Sequence, residues 1–229
     1  QQVLQKHPGE LIARAFLGDT QFALSDWAGA EKTWRAYAAL APSSAWAQGR
    51  LSKALARQGK HADAIAAAKR GFALLPTSPE ARLELGSRFL DAGNLQEAEE
   101  TLEPLSRAAK PRAEHLLRLG WAHWLEGELD AADAYFRRAA DLATSPGEWR
   151  TKGRATYDLA LVAAKRGQAA DAKAQLKAAY ATGYRVKELD PSLTAAAKEL
   201  ERDDLTRAAA PKPAKQRETS VLPLNLFGE

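Results

Sequence analysis

Apolar residues return every three or four positions through most of the chain, which is the period of an α-helix. In one stretch, Leu116, Leu119, Gly120 and His123 fall on a single stripe. Gly127 and Glu128 interrupt it, and Leu129, Ala132, Tyr135 and Phe136 make a second stripe. This pattern predicts helix, short turn, helix. The same arrangement recurs along the chain. A Leu precedes a small residue, an Ala lies thirteen residues after the Leu, and a large apolar residue and a Pro follow. Leu17-Gly18, Ala30, Trp34 and Pro42 form one copy, and Leu51-Ser52, Ala64, Ala68 and Pro76 the next. Leu85-Gly86, Ala98, Leu102 and Leu105 form a third, and Leu119-Gly120, Ala132, Phe136 and Ala139 a fourth. The leading Leu advances in three steps of 34. A fifth copy, Leu159-Ala160, Ala172, Leu176 and Ala179, follows 40 residues on, which places an insertion of six near Ser145 to Arg150.

The turns within the copies are Ser25-Asp26, Gln58-Gly59-Lys60, Gly93-Asn94, Gly127-Glu128 and Arg166-Gly167-Gln168. Four contain Gly, which ends a helix at little cost because it adopts positive φ. Small residues recur where the two helices are expected to cross, since a larger side chain there would hold the backbones apart. Ala30, Ala64, Ala98, Ala132 and Ala172 are therefore expected to be almost fully buried.

A period of 34 with the pattern L-G…A-x3-F…P resembles the tetratricopeptide repeat family, over roughly residues 8 to 184. The resemblance implies an all-α, right-handed α-solenoid, with repeats at about 11–44, 45–78, 79–112, 113–146 and 153–186. There are departures. The aromatic usual three residues after the Gly is Gln21, Leu55, Phe89, His123 and Ala163 here, and the third copy has Lys110 at the Pro position with Pro111 one late.

Pro8 lies 34 residues before Pro42, so residues 1–8 read as the end of a truncated preceding repeat. Together with the missing initiator Met, this start in mid-repeat predicts a piece of a longer array or a processed product. After Thr182-Gly183-Tyr184 the period fails. Asp190-Pro191-Ser192 reads as a turn and cap before a closing helix within 187–208, with Leu193, Ala196, Ala197, Leu200 and Leu205 on one side. Lys198, Glu199, Glu201, Arg202, Asp203 and Asp204 make the other side charged, as expected of a helix that covers the last apolar face of a solenoid. Residues 209–229 are a Pro-rich, basic linker with an apolar end. Leu222, Leu224, Leu226 and Phe227 are candidate docking residues, for this chain or for self-association with another copy; the alternative is a terminus without a role.

Composition narrows the function. The chain has 229 residues, 33 basic and 29 acidic, for a net charge of +4. A surplus that small, spread along the chain, reads as a solvated face and not as a nucleic-acid footprint. No run of about 18 apolar residues predicts a transmembrane helix. Cysteine is absent, which removes disulfides, thiolate metal sites and a cysteine nucleophile, and fits either cytoplasm or an exported compartment such as the periplasm. No pair among His7, His61, His115 and His123 has the HExxH spacing of a metal site. His123 takes the aromatic place in its helix and reads as a packed, hydrogen-bonded histidine. With no GxGxxG, GxxxxGK[ST] or GxSxG, no enzyme, cofactor or metal is expected.

What remains is a binding surface. Leu117, Trp121 and Trp124 form a second stripe about 100° from the first. In stacked repeats that face points either to the neighbouring repeat or to the concave groove, and Trp is favoured at binding anchors. The same face in the other copies carries Asp19 and Phe22, Lys53 and Arg57, Ser87 and Leu90, and Tyr157 and Leu161, with Arg50 and Arg118 alongside. The groove is thus expected to be basic near the second copy and apolar-aromatic near the fourth and fifth. An extended peptide with an acidic end and bulky apolar residues would complement it. Some members of the resembled family clamp a C-terminal carboxylate with Lys and Asn; the matching positions here are Ala15, Asp19, Arg50, Glu80 and Glu84, which do not reproduce that clamp. The expected function is an interaction scaffold or adaptor that binds a peptide or protein in its groove. The alternative is a structural spacer module of a larger bacterial envelope or secretion assembly.

Overall fold

A computed structural model of the chain describes residues 8–186 and 188–209, with side-chain surroundings for 9–186 and 188–201. The expectations for residues 1–7 and for the apolar end at Leu222, Leu224, Leu226 and Phe227 lie outside the described residues. Those residues form an all-α solenoid. Five helical hairpins follow one another: α1 (Pro8–Ala23) with α2 (Trp27–Leu40), α3 (Ala45–Arg57) with α4 (His61–Leu74), and α5 (Pro79–Asp91) with α6 (Leu95–Ser106). Then come α7 (Ala113–Glu126) with α8 (Leu129–Leu142), and α9 (Trp149–Lys165) with α10 (Ala169–Ala181). A closing helix α11 (Thr194–Ala209) follows a 3-10 turn at Pro191–Leu193. No helix of the described residues is long and apolar enough to cross a membrane.

The repeated Leu-small pair and the large residue sixteen positions after the small one meet at each helix crossing. A Cβ on Gly120 would stand 2.4 Å from Cε1 of Phe136, closer than real side chains approach. Gly86 meets Leu102 at 2.4 Å and Gly18 meets Trp34 at 2.6 Å in the same way. One helix gives up its side chain so that the other can bury a large one. Phe136 and Trp34 are 1% and 0% exposed. Truncating such a residue to Ala costs about 3–5 kcal/mol. Ala30, Ala64, Ala98, Ala132 and Ala172 are all exposed by 2% or less, as the crossing geometry requires.

The turns follow the same economy. Gly59, Gly93, Gly127 and Gly167 all have positive φ, and Ser25 takes the equivalent place in the first hairpin at φ 61. Side-chain caps start several helices: Asp26, Ser44 and Ser78 accept from the backbone N–H of Gly29, Ala47 and Ala81. The six-residue insertion becomes a 3-10 turn at Pro146–Glu148 and an early start of α9, which at 17 residues is the longest described helix. Helix α6 is the shortest of the ten hairpin helices, and Pro104, which has no N–H to donate, lies in its last turn.

The curvature is visible in which helices touch. From the second hairpin on, the first helices of successive hairpins (α3, α5, α7, α9) contact one another directly, while successive second helices make at most marginal contact. The first helices therefore lie on the short, inner side of the stack. The described solenoid ends differently at its two sides. Leu193, Ala196 and Leu200 of the closing segment pack on Ala172, Leu176 and Ala179 of α10, with Lys198 and Glu201 exposed. On α1, by contrast, Ile12 and Phe16 are 57% and 72% exposed.

Candidate functional site

The inner side carries two clefts, each between neighbouring first helices. The first, about 320 Å³, lies between α3 and α5 and is walled by Trp46, Arg50, Lys53, Ala81 and Glu84. Here the expected basic groups are neutralised. Arg50 pairs with Asp19 at 3.4 Å and lies over the Trp46 ring at 5.5 Å. Lys53 pairs with Glu84 at 3.6 Å, and Glu84 also accepts a hydrogen bond from Ser52 and pairs with Arg88.

The second cleft, about 280 Å³, lies between α7 and α9. Glu114, Leu117, Arg118 and Trp121 come from α7, Arg150, Thr151 and Arg154 from α9, and Tyr184 from the segment after α10. Beneath its lining lies the buried partner of Arg154 and Trp121. Asp158 is 0% exposed and accepts hydrogen bonds from Nε of Arg154 at 2.9 and 3.0 Å and from the indole Nε1–H of Trp121 at 2.9 Å. The Arg154 guanidinium also covers the Trp121 ring at 5.1 Å. Burial pushes the Asp158 carboxyl up to about 6, against the opposing charge and hydrogen bonds of Arg154, the bond from Trp121 and the charge of Arg118.

The two tryptophans are thus inter-repeat residues as much as surface ones. Trp121 and Trp124 meet edge-to-face at 6.1 Å, both are half-buried, and Lys165 of α9 lies over Trp124 at 5.2 Å. Leu90, Leu117, Tyr157 and Leu161 are each exposed by 9% or less. They pack between repeats and support the face from beneath. Phe22 packs edge-on against Trp27 at 4.7 Å, and Arg57 covers the same Trp27 ring at 5.6 Å. The structure brings Arg50 with Lys53 and brings Leu117, Arg118 and Trp121 together. Phe22, Arg57, Leu90, Trp124, Tyr157 and Leu161 line neither cleft.

The charge pattern along the groove also differs from the sequence expectation. The region of the fourth and fifth repeats is basic as well as aromatic, and the pair near the second repeat is compensated. The residues missed were Trp46, Arg150, Arg154, Asp158 and Tyr184. One signal was present. The residue before the leading Leu is Phe16, Arg50, Glu84, Arg118 and Asp158 in successive copies, so charges of alternating sign occupy one inner position from the second copy on.

Ligand-type atoms of Glu99, His123 and Glu126 lie within 4.8 Å of one another. The imidazole is already engaged: Nδ1 is 2.9 Å from Glu128, and the ring stacks on Tyr135 at 5.2 Å. That geometry explains His123 as a packed helix-end residue.

A tetratricopeptide repeat family model matches residues 1–79 and 83–147. No curated protein matches the chain in sequence. Among solved structures, pilF of Pseudomonas aeruginosa is 18% identical with a TM-score of 0.68, covering 89% of this chain and 90% of its own. A thermophilic TPR protein of Thermus thermophilus is 21% identical with a TM-score of 0.63, covering 87% and 98%. MamA is 24% identical with a TM-score of 0.56, covering 73% and 94%. At these identities the likeness is one of fold.

Proposed function

The chain belongs to the tetratricopeptide repeat family, and from that premise we propose that it is an interaction scaffold whose inner face seats an extended segment of a protein partner. The curved stacks of repeat proteins create extended concave surfaces of the kind they use for binding. The observation that carries the reading is the pair of clefts between successive first helices, both on the inner side and both floored by aromatic and charged side chains. Neither cleft is large enough for a folded domain, and together they suit a chain that lies along the groove and drops side chains between repeats. The scaffold reading assigns no catalytic step to the chain. Self-association through the segment at Leu222 to Phe227 is part of the same proposal, and the mass of the full chain in solution against one ending before residue 210 reads it directly.

The test uses position. A photo-crosslinking residue is placed at Lys53, Glu114 or Arg150 on first helices, and at Ala66, Glu100 or Lys177 on second helices, all exposed positions. In cells, the scaffold reading expects adducts of common mass from the inner set and not from the outer set. Equal adducts from the outer positions, or none from the inner ones, refute the inner-face assignment.

A further inference from the structure

The turn edge of the solenoid gathers one histidine and three carboxylates where the third and fourth hairpins meet. His123 and Glu126 come from the last turn of α7, Glu128 from the turn that follows, and Glu99 from α6 of the preceding hairpin. One ligand atom each of Glu99, His123 and Glu126 lie within 4.8 Å of one another. Nδ1 of His123 stands 2.9 Å from Glu128 and 3.8 Å from Glu126. Packing explains where the ring lies, but not why three acids surround it. His123 is only 7% exposed, and among the described residues its Nδ1 has no partner outside this cluster. None of the three acids has a Lys or Arg partner among those residues. Other shielded carboxylates do: Glu31 pairs with Lys60 and Arg35, Glu84 with Lys53 and Arg88, and Glu103 with Arg107.

A buried imidazole facing uncompensated carboxylates is a donor set for a divalent transition ion, since zinc takes both ligand types. A tetrahedral zinc ion with bonds of about 2.0–2.2 Å sets its ligand atoms roughly 3.3–3.6 Å apart. The separations of 2.9 and 3.8 Å straddle that edge. The contact between Nδ1 and Glu128 needs a proton between them, and a metal ion would replace it, with the ring proton carried on Nε2. Tyr135 holds the ring for this role. It stacks on the imidazole at 5.2 Å, and its hydroxyl donates to Glu103, one turn from Glu99 on α6. We propose that Glu99, His123, Glu126 and Glu128 form a binding site for a divalent transition-metal ion such as zinc. The bound ion staples α6 to α7, across the junction where α6 is shortest and no helix covers residues 107–112. None of the four residues lines either inner cleft, so the site is independent of the inner-face reading.

The metal alone tests the site, on the untagged full chain freed of ions with a chelator. Zinc is titrated into the isotopically labelled chain, with magnesium at equal ionic strength as the control for bulk charge. The ring signals of His123, assigned with His123→Gln, report on the site directly, and the melting temperature reports on the staple. One equivalent of zinc is expected to saturate the His123 signals, to bind more tightly than magnesium, and to raise the melting temperature by mass action. Glu126 and Glu128 are exposed, so Glu126→Gln and Glu128→Gln test the ligands without disturbing the core. Each is expected to weaken zinc binding about tenfold or more while the metal-free chain keeps its native spectrum. Affinity unchanged in both variants, or zinc that shifts the other imidazoles as much as that of His123, marks an adventitious ion only and overturns the site. Binding no tighter than that of magnesium overturns it as well.

Discussion

Replacing Asp158 by Ala removes the acceptor that holds two groups at the inner cleft. The indole N–H of Trp121 loses its partner in a half-buried setting, a loss of about 1–3 kcal/mol. Breaking a buried pair by deleting one member costs about 3–5 kcal/mol when the survivor stays buried. The Arg154 side chain is 44% exposed and can turn to water, so its share falls below that range. The sum is about 3 kcal/mol, which for a chain of this size lowers the melting temperature by roughly 6–12 °C. Asp158→Asn behaves differently, because the amide keeps an oxygen for the indole and removes only the charge. It is therefore expected to match or exceed the natural protein near neutral pH, by up to about 3 kcal/mol. The natural chain also diverges from both variants with pH. A carboxyl at about 6 when folded and 3.8 ordinarily binds a proton in the folded state that the unfolded state has lost. Its contribution to stability is complete below about 4 and disappears as pH rises through about 6, a change of about 3 kcal/mol. The assay is urea unfolding followed by circular dichroism at a series of pH values, for the natural chain and both variants. A cost under about 1 kcal/mol for Asp158→Ala refutes the supporting role of this carboxylate. A stability that rises relative to Asp158→Asn between pH 4 and 7 refutes the burial argument.

Gly120→Ala places a methyl against the Phe136 ring and is expected to cost about 1–3 kcal/mol by overpacking, with much of the loss recovered in the double variant with Phe136→Leu; additive losses in the denaturation cycle would contradict the pairing. Ser25→Gly relieves a left-handed backbone at φ 61 and is expected to gain about 0.5–1 kcal/mol after allowing for the greater freedom of unfolded Gly, read as a raised denaturation midpoint. Glu31 has its carboxyl lowered to about 2, first by its hydrogen bond from Lys60, with further bonds from Gln58 and Arg35 set against burial. Its contribution is present above about 4.5 and lost as pH falls toward 2, so Glu31→Gln flattens that part of the acid-unfolding curve.

The hairpins were legible because each rests on contacts internal to one repeat. Gly120 and Phe136 are sixteen residues apart and meet whatever the neighbours do, so their spacing alone announced the crossing. The role of Trp121 and Trp124 was legible only as two alternatives, since the same stripe faces both the next repeat and the groove. The partners of Trp121 are Asp158 and Arg154, in a helix reached after the six-residue insertion, and the insertion hid them. The charge of the groove was misjudged for a related reason. Whether Arg50 and Lys53 are free depends on how close Asp19 and Glu84 of adjacent helices stand, and that distance belongs to the stack.

The central claim is tested most directly by a crystal structure of the chain with the partner segment recovered from the inner-face crosslinks. The inner-face reading predicts an extended segment along the first helices, with side chains seated in the clefts between α3 and α5 and between α7 and α9. A partner seated on the second helices, with the cleft between α7 and α9 left open to solvent, would contradict it.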